Sequence, residues 1–301
     1  MAGCNHNNTI RVGKPKWLKR SLPTGPEYEK MRQLLKTNKL HTVCQEAQCP
    51  NQFECFSEGT ATFMILGERC TRNCRFCAVD HQPLGLPDLE EPQRVAEAVA
   101  LLQLRYAVVT SVTRDDLEDG GASIFADTIK EVRTKRAKTL VEVLIPDLQG
   151  DRAALEKVVA AAPDVLNHNI ETVARLYPEV RPEAIYQRSL DLFRLVKEMN
   201  PMQVTKSGIM LGLGETRDEL YTAWDDLLKA GCDILTMGQY LQPSKEHLSV
   251  VRFVEPEEFE ELQEQALARG FAGVASGPFV RSSYQAEKLY RKVRRRLQAA
   301  L

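Results

Sequence analysis

Six of the eight cysteines of this chain crowd into 34 positions, between Cys44 and Cys77, and they fall into two triplets. The first is Cys44-x4-Cys49-x5-Cys55, in HTVCQEAQCPNQFECF. The second is Cys70-x3-Cys74-x2-Cys77, in GERCTRNCRFCAVD. Structural core cysteines scatter with the core, and disulfide frameworks belong to short exported domains. The chain has 301 residues, and its start, MAGCNHNNTI, has neither the basic nor the apolar region of an export signal. Crowded, reduced thiols point to metal. Structural zinc asks for four ligands; neither triplet supplies four alone, although His41 or His81 can complete one. Iron–sulfur clusters are also held by closely spaced thiolates, and three cysteines on a four-iron cube leave one iron open to a substrate or cofactor. The spacing favours iron–sulfur and leaves zinc as the alternative.

Downstream of Gly59 the pattern turns regular. Strand-like runs occur at 61–67, 107–112, 140–146, 165–170, 207–213 and 233–241, with a seventh candidate at 271–279. Helical periodicity fills the gaps near 92–104, 121–136, 151–162, 183–199, 215–230 and 256–269, with a last helix near 284–300. Pro92, Asp151 and Pro256 sit at helix starts and Gly270 at a stop. Before residue 58 the chain reads as an irregular extension with one modest helix near 26–38. Strands alternating with helices imply a parallel sheet. The expected fold is α/β: a partial TIM-type (β/α)6 barrel at 58–277, an N-terminal extension at 1–57 and a helical closure at 278–301. An open doubly wound sheet is the alternative. The second triplet follows the first strand, at the barrel rim where chemistry gathers.

Charge adds exclusions. With 40 basic against 41 acidic side chains the net charge is −1, which argues against a nucleic-acid binder. No apolar run approaches the ~18 residues of a bilayer span. A soluble cytoplasmic protein is expected.

Cys70-x3-Cys74-x2-Cys77, with Phe76 before the last cysteine and a βα series behind it, resembles the radical S-adenosylmethionine superfamily. The upstream triplet, VVTSVTRDDLEDGGA (108–122), LNHNIET (166–172), KSGIMLGLGET (206–216) and GPFVRSSY (277–284) narrow the resemblance to its lipoyl synthase family, over about residues 10 to 290. The resemblance implies two [4Fe–4S] clusters and S-adenosylmethionine. Their joint activity would insert sulfur at C6 and C8 of an octanoyl group amide-linked to a lysine of a lipoyl carrier domain. It assigns Cys70, Cys74 and Cys77 to the radical-generating cluster. It assigns Cys44, Cys49, Cys55 and a serine of RSSY, Ser283 in preference to Ser282, to an auxiliary, sulfur-donating cluster. Phe76, Ser111, Thr113, Asn169, Glu171, Arg175 and Gly212 are its candidate cofactor contacts. The Gly-Gly-Glu motif usual in the superfamily after strand two is absent. Implied partners are the octanoylated carrier (a 2-oxoacid dehydrogenase E2 or a glycine cleavage H protein) and an electron donor such as flavodoxin or ferredoxin, with no nucleic acid and no membrane. Another sulfur-inserting or methylthio-transferring enzyme with an auxiliary cluster, and a zinc-stabilised binding protein, are the rival expectations. The basic run KLYRKVRRR (288–296) reads either as a solvated helix face or as a dock for an acidic carrier.

Overall fold

The computed structural model describes residues 15–18, 33, 41–42, 60–81 and 84–299. Cys44, Cys49, Cys55 and the helix expected near 26–38 lie outside the described residues, apart from residue 33 of that helix.

The core is one eight-stranded sheet. A two-residue strand β1 (His41–Thr42) runs antiparallel along β2 (Thr60–Ile65). After a small parallel pair, β3 (Arg69–Cys70) and β4 (Asp80–His81), come β5 (Tyr106–Ser111), β6 (Leu140–Leu144), β7 (Val165–Asn167), β8 (Val204–Leu211), β9 (Ile234–Gln239) and β10 (Gly273–Gly277). From β2 onward the sheet is parallel and its strands neighbour one another in chain order. That is the partial barrel expected, with the seventh candidate strand taking the far edge as β10.

The connecting helices are α1 (Glu91–Leu101), α2 (Ala122–Lys135), α3 (Arg152–Ala160), α4 (Tyr177–Val180), α5 (Tyr186–Met199), α6 (Arg217–Lys229) and α7 (Pro256–Arg269). They cover the outer face, so strands such as β5 are sealed on both sides and read as continuous apolar runs. Local signals set the boundaries. The Asp151 carboxylate accepts from the amides of Ala153 and Ala154, 2.8 and 3.3 Å away. Thr216 and Glu219 form a reciprocal capping box at the start of α6. Several expected strands are shortened: β2 stops at Ile65 rather than 67, β6 at Leu144 rather than 146, β7 at Asn167 rather than 170, β9 at Gln239 rather than 241 and β10 at Gly277 rather than 279. Beyond Asn167 the backbone turns away from the sheet and rejoins only at Glu171, which bridges to Ile209 with φ of 63°.

The last helix, α8 (Ala286–Ala299), closes the barrel from below. Ala286, Tyr290 and Val293 pack on Tyr106, Val165, Val204 and Ile234, which open their strands, and on Val108. The cysteine loop leaves the opposite, C-terminal end of β2. The basic run therefore lies at the far end from that loop, and much of it is engaged: Arg291 with Glu287 at 3.0 Å, Arg296 with the Ala272 carbonyl at 3.0 Å, and Arg294 with the Tyr290 hydroxyl.

Candidate iron–sulfur site at the barrel mouth

Cys70, Cys74 and Cys77 are free thiols, each half-buried. A tight turn brings the Cys77 amide to the Cys74 carbonyl at 3.0 Å. The Cys70 sulfur accepts from two backbone amides, Arg72 at 3.4 Å and Thr113 at 3.3 Å. Burial pushes the free Cys74 thiol up and that of Cys77 up to about 12. Uncharged thiols are what such a pocket tolerates until a cation replaces the protons. The donor set fits a four-iron cluster. Three thiols on one short loop are the soft donors that such a cluster takes.

Three anchors hold the loop. Thr71 donates from its amide and hydroxyl to the Thr113 carbonyl, at 2.9 and 3.0 Å. Arg72, only 4% exposed, forks onto Asp115 at 2.6 and 2.9 Å and reaches Asp147 at 2.5 Å. Burial alone would raise the Asp147 carboxyl; the Arg72 guanidinium outweighs it and draws the value down to about 2. From above, the long β9–α7 connection docks on the loop: the Leu248 amide donates to the Arg75 carbonyl at 3.1 Å, and His247 Nε2 lies 2.9 Å from the Cys77 carbonyl.

The candidate cofactor contacts divide. Asn169 and Glu171 come together, with Asn169 Nδ2 donating to Glu171 Oε1 at 3.1 Å. They point the same way because Glu171 takes a left-handed backbone, not because they share a strand. Burial raises the Glu171 carboxyl against the opposing charge of Arg181. Ser111 ends β5 with its hydroxyl buried and without a partner among the described residues, the condition a bound ligand would relieve. Thr113 meets Cys70 through its backbone, and Phe76 packs half-buried against the core.

Gly212 has φ of +98°, and a Cβ there would sit 2.4 Å from both the Gln239 side-chain nitrogen and the Arg252 carbonyl. Its amide donates to Glu215 Oε1 at 2.7 Å. Close packing accounts for this glycine. Arg175 is turned outward and half-exposed, paired with Glu219 at 2.5 Å and with the Gly214 carbonyl at 2.8 Å. At Gly208 a Cβ would fall 2.7 Å from Asn169 Oδ1, so glycine there makes room for that amide.

Sequence reading missed Arg181. It is 8% exposed and donates to the carbonyls of Asn169 and Ile170 at 3.0 and 3.3 Å. Its charge bears on Cys74 and Glu171, and its Nε has no partner among the described residues. An arginine in a VRPEA segment carries no signal of such burial. His168 is structural, as its surroundings require: its ring bridges the Ile145 carbonyl and the Ser189 hydroxyl, each at 2.9 Å.

The RSSY turn enters the same barrel. Ser282 exchanges hydrogen bonds with the Asn169 amide at 2.9 and 3.2 Å, and its carbonyl accepts from Lys206 Nζ. Ser283 is half-buried, and no hydrogen bond engages its hydroxyl among the described residues.

Comparison with known proteins gives the family and the fold. A profile of the radical SAM superfamily matches residues 64–227, and one of the N-terminal domain of lipoyl synthase matches residues 3–49. The chain is 67% identical over 291 residues to the lipoyl synthase of Desulfotalea psychrophila, covering 96% of this chain and 97% of that one. It is 60% identical over 276 residues to that of Symbiobacterium thermophilum, covering 91% and 86%. Among solved structures, methylornithine synthase shares the fold at a TM-score of 0.54 and 15% identity, over 80% of this chain and 72% of that one. The cysteine loop, the barrel that carries it and the near-full-length identity lead to one conclusion: this chain belongs to the lipoyl synthase family of radical S-adenosylmethionine enzymes.

Proposed function

We propose that this chain inserts two sulfur atoms, at C6 and C8, into an octanoyl group amide-linked to a lysine of a lipoyl carrier domain, either an E2 subunit or an H protein. The observation that carries the reading is the Cys70–Cys74–Cys77 loop facing the same barrel interior that receives the RSSY turn, with Asn169 touching that turn. When bound, a four-iron cluster with S-adenosylmethionine supplies a carbon-centred radical, and a second cluster supplies the sulfur.

The chain's own residues then have distinct tasks. Cys70, Cys74 and Cys77 hold the first cluster and leave one iron free for the methionine end of the cofactor. Ser111, Thr113, Asn169 and Glu171 line the cofactor, with Phe76 and Gly212 shaping its walls and Arg175 at its rim. Cys44, Cys49, Cys55 and Ser283 hold the second cluster. The engagement of the Ser282 hydroxyl by Asn169 supports Ser283 as the oxygen ligand. Hydroxyl oxygen is a hard partner for iron–sulfur chemistry, which suits an iron that must be released. Residues 1–57 form the cluster-bearing extension, 58–277 the barrel and 278–301 the closure.

Reduced thiols in this number fit the cytoplasm, with flavodoxin or ferredoxin as electron donor. Among the described residues no helix is long and apolar enough to cross a membrane.

The test is iron, sulfide and zinc per chain on anaerobically reconstituted protein, followed by incubation with an octanoyl-lysyl peptide. Roughly eight irons per chain and a peptide that gains two sulfurs are expected. About four irons would remove the second cluster and with it the sulfur source. Stoichiometric zinc without iron would end the reading.

A further inference from the structure

The barrel interior holds a charged group that none of these tasks uses. Lys206 Nζ lies 2.9 and 3.2 Å from the two Glu142 oxygens, and both side chains are at most 2% exposed. Glu142 is held in turn by the Tyr106 hydroxyl at 2.6 Å and the Asn167 amide at 3.0 Å. An ammonium has three donors. Two go to Glu142, and the third goes to the Ser282 carbonyl, 76 residues away in the chain.

Buried ion pairs are costly to desolvate, and apolar side chains of similar volume commonly serve stability as well or better. What an apolar residue cannot supply at position 206 is a donor to the turn. A backbone carbonyl inside a barrel also needs a partner, since an unpaired one is penalised. Lys206 meets that need and fixes where the turn stops. Ser282 is clamped on both sides, by Lys206 at its carbonyl and by Asn169 at its hydroxyl. Its neighbour Ser283 is left with a hydroxyl that no described residue engages.

We propose that Lys206, braced by Glu142, is a positioning residue that seats the RSSY turn so that the Ser283 oxygen is presented to the auxiliary cluster. This rests on the reading of Ser283 as a cluster ligand.

The experiment compares three reconstituted holoproteins with the unaltered chain: Ser283→Ala, Glu142→Gln, and Glu142→Gln combined with Lys206→Met. The double variant removes both charges together, so no buried charge is stranded. The readouts are amide hydrogen exchange of residues 278–285, iron per chain, and the electron paramagnetic resonance signal of a three-iron cluster. Ser283→Ala is expected to lose one iron and show that signal. The double variant is expected to reproduce it with Ser283 intact and to exchange at least tenfold faster over 278–285. Glu142→Gln alone, which keeps the Lys206 donor, is expected to do neither. A Ser283→Ala protein with all its iron would sink the ligand assignment. A double variant with full iron and unchanged exchange, beside a Ser283→Ala protein that behaves as expected, would overturn the role of Lys206 alone.

Discussion

Replacing Arg72 by Met tests whether the cysteine loop is held by charge or by packing. Arg72 occupies the gap between Cys70 and Cys74 and carries two carboxylates, Asp115 and Asp147. Asp115 is 27% exposed and can turn to water, but Asp147 is 1% exposed and cannot. The fall of the Asp147 carboxyl from 3.8 to about 2 corresponds to about 2.4 kcal/mol of favourable interaction with the ionised form. In the variant Asp147 keeps only Arg188 at 3.3 Å and the Gln149 amide at 3.1 Å. Stranding one partner of a buried pair costs about 3–5 kcal/mol. At this chain length that is a fall of roughly 5–8 °C in Tm. Calorimetry at neutral pH measures it. Adding Asp147→Asn to Arg72→Met removes the stranded charge and is expected to recover half of the loss or more. If the double variant is no more stable than the single one, charge is not what Arg72 contributes, and the reasoning fails.

Two further perturbations probe the walls of the site. Gly212→Ala places a methyl group 2.4 Å from Gln239 and the Arg252 carbonyl on a backbone at φ +98°; a loss of about 2–4 kcal/mol is expected, read as a drop in Tm, and an unchanged Tm would contradict the packing role. Burial holds the His168 ring neutral, with its value down from 6.5 to about 4. The unfolded chain therefore binds the proton first, so the contribution of neutral His168 is complete above pH 6.5 and lost as pH falls toward 4. Between pH 7.5 and pH 5.5 that amounts to roughly 1.4 kcal/mol, and His168→Gln is expected to flatten the Tm profile over that interval.

The alternation of strands and helices was legible because periodicity and capping are local. Pro92, Asp151, Pro256 and Gly270 mark ends that the structure uses. Nothing local marks the premature end of β7, which is imposed by the return of Glu171 to β8 across a bridge. Nor does anything local mark the left-handed backbone of Glu171 that brings its carboxylate to the Asn169 amide. Arg175 has the right composition and the right neighbourhood, yet Glu219 lies within its reach and holds it at the surface.

By itself the amino-acid sequence determined that six cysteines are concentrated in two triplets, that one triplet follows a strand, and that a parallel α/β barrel carries it. These follow from spacing and period, which are properties of neighbours in the chain. Tertiary structure alone decided that Arg72 finds Asp147 from 75 residues away, that Arg181 is buried beside Cys74 and Glu171, and that Lys206 meets the RSSY turn. It also sent the basic helix to the end opposite the cysteine loop. The pairings of Arg72 with Asp147, Arg181 with Cys74 and Lys206 with the RSSY turn each join segments at least 75 residues apart in the chain. Which charges meet is then set by strand order, register and the closure of the barrel, none of which a short window of residues encodes.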